Sequence, residues 1–99
     1  MLTKTSTSSE PLVINKTVRV LIVDDSAVVR QLLEELLRGV PGVEVIGTAP
    51  NGEIALQRID RLKPDVVTLD VEMPVMDGMQ ALRALRDRGS TIRVVISRR

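Results

Sequence analysis

The chain has 99 residues, 43% of them apolar and none aromatic, and a formal net charge of +1. That is one small domain with enough apolar content for a packed core, and its scattered basic residues give no reason to expect a nucleic-acid partner. With no Cys and no His, disulfides, thiol catalysis, cysteine-ligated metals and the usual histidine base or zinc ligand are excluded.

No run of 18 or more apolar residues and no secretory pattern is present, so the sequence reads as cytoplasmic, without a membrane partner. Residues 1–16, with the stretch TKTSTSSEP, are polar, rich in Ser and Thr and broken by Pro11, and predict a flexible leader in which LVI at 12–14 packs locally at most. VRVLIV at 18–23 is a β-branched apolar run of the kind buried on both faces of a parallel sheet. SAVVRQLLEELLRG follows, with Val28, Leu32, Leu36 and Val29, Leu33, Leu37 at helical spacing and Gly39 as the stop. Either Asp25 or Ser26 can cap its start.

VEVIGTA at 43–49 predicts a second strand. NGEIALQRIDRL at 51–62 predicts a second helix, with Ala55, Ile59 and Leu62 on one face. VVTL at 66–69 is a third strand, 78–88 a third helix packing through Met79, Leu82 and Leu85, and IRVVIS at 92–97 a fourth strand. Strand and helix alternating in this way imply an α/β fold, with a parallel sheet, right-handed crossovers and helices on both faces.

In such sheets the functional groups gather at the carboxyl ends of the strands. The first strand runs into Asp24 and Asp25, the third into Asp70 and the fourth into Ser97. If the first and third strands are neighbours, three acids meet in one pocket. Two carboxylates roughly 5 Å apart repel by roughly 3 kcal/mol at an effective dielectric of about 20, so the cluster must take up protons, splay apart or bind a cation. Mg²⁺ suits an open site of a few carboxylates, a backbone carbonyl and waters. A carboxylate beside such an ion is a competent nucleophile toward phosphorus, and phosphoryl transfer asks mainly for positioning and charge stabilisation.

The bland alternatives are specific. An Asp after a strand is often a turn former or a helix cap, and a Ser near a strand end is often only a surface residue. Met73, Met76 and Met79 read as gap-fillers and helix-face packing, and Lys63 before Pro64 as solvated. What lifts Asp70 above these is the joint pattern of DD after one strand and D after another, two crossovers later.

VLIVDDSAVVR, KPDVVTLDVEMPVMDG and VVIS together resemble the response-regulator receiver domain of two-component signalling. DDSAVVRQLL, GTAPNGEIAL and LDVEMPVMDG look most like the receiver of the chemotaxis protein-glutamate methylesterase, over about Val18 to Ser97. The resemblance implies a flavodoxin-like doubly wound parallel sheet in residues 17–99. It implies that Asp70 accepts phosphate from the phosphohistidine of a chemotaxis-type histidine kinase, and that Asp24, Asp25, Asp70 and the Glu72 backbone carbonyl hold Mg²⁺. Ser97 would be the switch hydroxyl that turns toward the phosphate. Pro74 and Gly78 would shape the loop after Asp70, Gly78 through backbone angles that other residues resist.

Members of the family also carry a Lys in a Lys-Pro pair at the end of a fifth strand, an aromatic switch residue and two further helices. The sequence ends at Arg99, two residues past Ser97, so the expectation is an incomplete sheet that stops at its fourth strand. Lys4 and Lys16 lie in the leader and Lys63 at the wrong end of the sheet. Arg98 and Arg99 bring positive charge near Ser97, but guanidinium geometry does not copy an ammonium. The methylesterase's own Ser-His-Asp chemistry is excluded by the lack of His.

Two readings follow. One is a receiver competent to catalyse its own phosphorylation. The other is a non-catalytic receiver fragment acting as a binding or self-assembly module because the fifth-strand Lys is absent, self-associating through its exposed fourth-strand edge or by exchange of elements between copies. A third, another phosphatase fold with an Asp nucleophile, is disfavoured because Glu72 stands where such enzymes place a second Asp.

Overall fold

A computed structural model describes residues 17–97. The predicted leader at 1–16 and the two terminal arginines lie outside the described residues.

The observed order is β1 (Val18–Val23), α1 (Ala27–Arg38), β2 (Val43–Ala49), α2 (Gly52–Leu62), β3 (Val66–Asp70), α3 (Gly78–Asp87) and β4 (Arg93–Ser97). All pairings are parallel and the sheet order is β2-β1-β3-β4. The element types agree with the expected alternation. The main shift is at Asp70, which is the last residue of β3 itself and pairs in register with Ser97.

Chain direction explains the layering. The first crossover moves from β1 to β2 on one side, whereas the next two carry the chain back across the sheet, so right-handed connections put α1 on the opposite face from α2 and α3. Leu21 and Val23 of β1 and Val67 and Leu69 of β3 alternate onto the α2/α3 face. There they form one buried cluster with Ala55, Ile59, Ala81 and Leu85. Each of these large side chains contributes roughly 1.5–3 kcal/mol by leaving water.

The helix ends carry local satisfaction of their free N–H groups. Ser26 Oγ accepts from the Val29 amide, Asn51 Oδ1 from Ile54, and Asp77 and Gln80 form a reciprocal capping box. Ser26, not Asp25, is therefore the cap of α1, which leaves the Asp25 carboxylate outside that role. At the opposite end of the sheet, Arg19 donates to the Leu62 and Lys63 carbonyls at 2.8 and 2.6 Å, tying the C-terminus of α2 to the start of β1. Lys63 is exposed there, in the left-handed conformation that ends α2.

Two packing expectations need correction. In α1 the stripe Val29, Leu33, Leu37 faces the sheet and is half-buried, whereas Val28, Leu32 and Leu36 are 75%, 52% and 60% exposed. Both stripes have helical spacing, and only the position of the sheet distinguishes them. In α3, Met79 is exposed and the buried positions are Gly78, Ala81 and Leu85. The buried face of α3 runs through Gly78, Ala81 and Leu85, so Met79 falls off it, while Leu82 remains packed against the core.

Candidate functional site

The pairing of β1 with β3 brings the acids together. Val23 lies opposite Leu69, so the residues that follow, Asp24 and Asp70, emerge side by side at the carboxyl edge. Asp25 comes one residue later. Ligand oxygens of Asp24, Asp25 and Asp70 all lie within 4.8 Å of one another. Asp24 and Asp70 are buried, at 2% and 1% exposure, and Asp25 is exposed.

Neighbouring backbone fixes each group. Asp24 donates its amide to the Ala49 carbonyl at 3.0 Å, its Oδ1 accepts from the Ser26 amide at 2.9 Å, and its carbonyl receives Arg30 Nη1 at 2.7 Å. Asp70 Oδ1 accepts from the Glu72 amide at 3.3 Å. Ser97 is the register partner of Asp70, and its carbonyl accepts from the Val71 amide at 3.0 Å. Asp25, Val71, Glu72, Met73, Pro74 and Asp77 line a depression at this edge. All the predicted site residues thus meet at one end of the sheet.

The Gly78 amide donates to Val71 O at 3.1 Å, and a Cβ at Gly78 would stand 2.3 Å from the Asp70 carbonyl oxygen. Glycine is needed here for close approach of two backbones, since its φ is not left-handed. That corrects the expectation of unusual backbone angles. The residue in that region is Val75, at φ 69°.

Arg30 and Gly52 were not among the expected site residues. Arg30 belongs to a helix whose sequence gives no sign that its guanidinium turns back to the strand end. The glycine of the pair Asn51-Gly52 is visible in the sequence as a helix start, but its role depends on the loop that crosses it.

Electrostatics make the cluster demanding. Two buried carboxylates at this separation repel by about 3 kcal/mol at an effective dielectric of about 20, with solvent weakening the contribution of exposed Asp25. Hard carboxylate oxygens gathered this closely fit a small divalent cation such as Mg²⁺, which favours oxygen donors and retains waters on an open side. Asp24, Asp25 and Asp70 are the side chains that would hold it.

The family model for the response regulator receiver domain matches residues 20–98. The chain belongs to the response regulator receiver family. The protein-glutamate methylesterase/protein-glutamine glutaminase of Nocardioides sp. is 49% identical over 79 residues, covering 80% of this chain and 22% of that protein. The chain therefore spans about a fifth of the length of this curated relative. The crystal structure of the response regulator domain of Thermotoga maritima CheB superposes with a TM-score of 0.79 at 38% identity, covering 84% of this chain and 61% of that one. The CheX-CheY-BeF3-Mg complex from Borrelia burgdorferi matches at a TM-score of 0.75 and 34% identity, covering 81% and 60%. The receiver resembles CheB-type chemotaxis proteins in both sequence and fold. Among its described residues, no helix is long and apolar enough to cross a membrane.

Crowding of like charges has a measurable consequence. Asp70→Asn keeps an oxygen to accept from the Glu72 amide while removing one charge, so in metal-free buffer it should stabilise the receiver by about 1–3 kcal/mol in urea titrations. An unchanged or lower stability would show that the cluster is already neutralised by other contacts.

Proposed function

We propose that the receiver, in residues 17–99, is a Mg²⁺-dependent phosphoryl acceptor of a chemotaxis-type two-component pathway in the cytoplasm, with Asp70 taking the group from a phosphohistidine of a histidine kinase. The observation that carries this reading is the convergence of Asp24, Asp25 and Asp70 within 4.8 Å at the tips of two paired strands. The likeness to a chain of a CheX-CheY complex that includes BeF3 and Mg supports the same chemistry.

Asp70 supplies the nucleophile. One of its carboxylate oxygens forms the new bond to phosphorus as the N–P bond of the donor breaks, and the imidazole nitrogen leaves with the electron pair and is protonated by solvent. The product is an aspartyl phosphate. Asp70 is buried among its neighbours, and the Glu72 amide orients its carboxylate. Asp24 and Asp25, with the Glu72 backbone carbonyl, would complete the oxygen donors for Mg²⁺. The ion's contribution when bound is to neutralise charge on the phosphoryl oxygens. Ser97, the register partner of Asp70 on the adjacent strand, acts in this reading as the switch hydroxyl that turns toward the phosphoryl group.

Incubation with a radiolabelled chemotaxis-type kinase and Mg²⁺ should place label on the receiver, and Asp70→Asn should abolish it. Label that persists in the variant, or none on the wild type, contradicts the assignment.

A second reading, a non-catalytic binding or self-assembly module, is favoured by different residues. Among the described residues β4 pairs on one side only, with β3. Val95 and Ile96 of that strand are exposed, as is the α1 stripe Val28, Leu32, Leu36. An open edge beside exposed apolar side chains favours pairing with a second copy. Light scattering across a concentration series should then show a dimer, weakened by Val95→Lys; a monomer at high concentration would argue against this reading.

A further inference from the structure

The loop from Val71 to Asp77 is held in a conformation that its own sequence disfavours. Val75 sits at φ 69°, and around it the Met76 amide donates to the Pro74 carbonyl at 2.7 Å. This is a three-residue turn with a left-handed centre, a strained arrangement made worse by a β-branched residue. Strain of this kind costs about 1–3 kcal/mol and persists only where the surroundings impose it. Val75 is 74% exposed, so its own side-chain packing does not hold the turn.

The constraint comes from α2. The Gly52 amide donates to the Met76 carbonyl at 2.9 Å. A Cβ at Gly52 would lie 2.7 Å from that same oxygen and 2.8 Å from Met76 Cγ, closer than real Cβ atoms approach, and 3.0 Å from Met76 Cβ. Gly52 is not in the left-handed region, so the lack of a side chain serves space alone. With Met76 seated on Gly52 and Gly78 pressed against the Asp70 backbone, the loop is fixed at its far end and at its exit. Its first residues then have little freedom, and the Glu72 amide is among them.

We propose that Gly52 is a positioning residue for Asp70. It provides the seat that keeps the 71–77 loop in its strained turn, and the loop in turn holds the Glu72 amide against the Asp70 carboxylate. This rests on the reading of Asp70 as phosphoryl acceptor.

The test compares wild type, Gly52→Ala, Val75→Asn and Asp70→Asn in the full chain, by amide hydrogen exchange and by phosphorylation with acetyl phosphate, which releases acetate as the Asp70 O–P bond forms. Gly52→Ala should expose the Glu72 amide to exchange. It should also lower the maximal phosphorylation rate about tenfold or more, with the half-saturating donor concentration unchanged and urea unfolding still cooperative. Unchanged exchange at Glu72, or a rate loss that only tracks the unfolded fraction, overturns the proposal. Val75→Asn tests it without crowding the helix. Asn tolerates the left-handed region, so relieving strain should raise protection of the Gly52 amide about tenfold, and no rise overturns the coupling of seat to turn. Phosphorylation that survives Asp70→Asn would overturn the acceptor assignment instead, separating that failure from failure of the seat.

Discussion

Repulsion between carboxylates on adjacent strand tips is the constraint around which the receiver is organised. Parallel pairing of β1 with β3 puts Asp24 and Asp70 side by side at the carboxyl edge, and the buried cluster of Leu21, Val23, Val67 and Leu69 fixes that pairing. A one-residue slip would turn these apolar side chains to the other face, so the register is strongly specified. The energy that sets it comes from burying hydrocarbon. The acids are carried into contact by a core that gains nothing from their proximity.

Short backbone interactions then hold the charged edge in place. The Ser26 and Glu72 amides each donate to one of the buried carboxylates, and Arg30 holds the Asp24 carbonyl. On the loop side, two glycines allow approach that any side chain would prevent: Gly78 over the Asp70 backbone and Gly52 under Met76. The left-handed Val75 lies between these contacts. Strain at the edge and tight packing beneath it are thus two aspects of one arrangement, in which stability supplied elsewhere maintains a geometry suited to chemistry.

Much of this was legible in the sequence because it depends on period and position. Alternating β-branched runs and helical stripes gave the order of elements, and acids directly after the first and third runs gave the location of the site. Features that depend on contact through space were not legible. Val28, Leu32, Leu36 and Val29, Leu33, Leu37 have the same spacing, and only the docked sheet shows that the second set faces inward. Asp25 and Ser26 can each cap a helix, and only the position of the helix start selects Ser26. Met79 is large and apolar and reads as a packing residue, yet the face of α3 that turns inward runs through Gly78, Ala81 and Leu85, and which face turns inward depends on how the helix docks. The return of Arg30 to the strand end and the seat at Gly52 each join segments distant in sequence, and neither carries a local signature.

The central claim is that Asp24, Asp25 and Asp70 form one binding site for a hard divalent ion. Magnesium titration followed by amide chemical shifts tests it most directly. One equivalent should perturb signals confined to residues 24–26 and 70–72, and Asp24→Asn with Asp25→Asn should remove the response. Saturable shifts elsewhere, or a response indifferent to those substitutions, would contradict it.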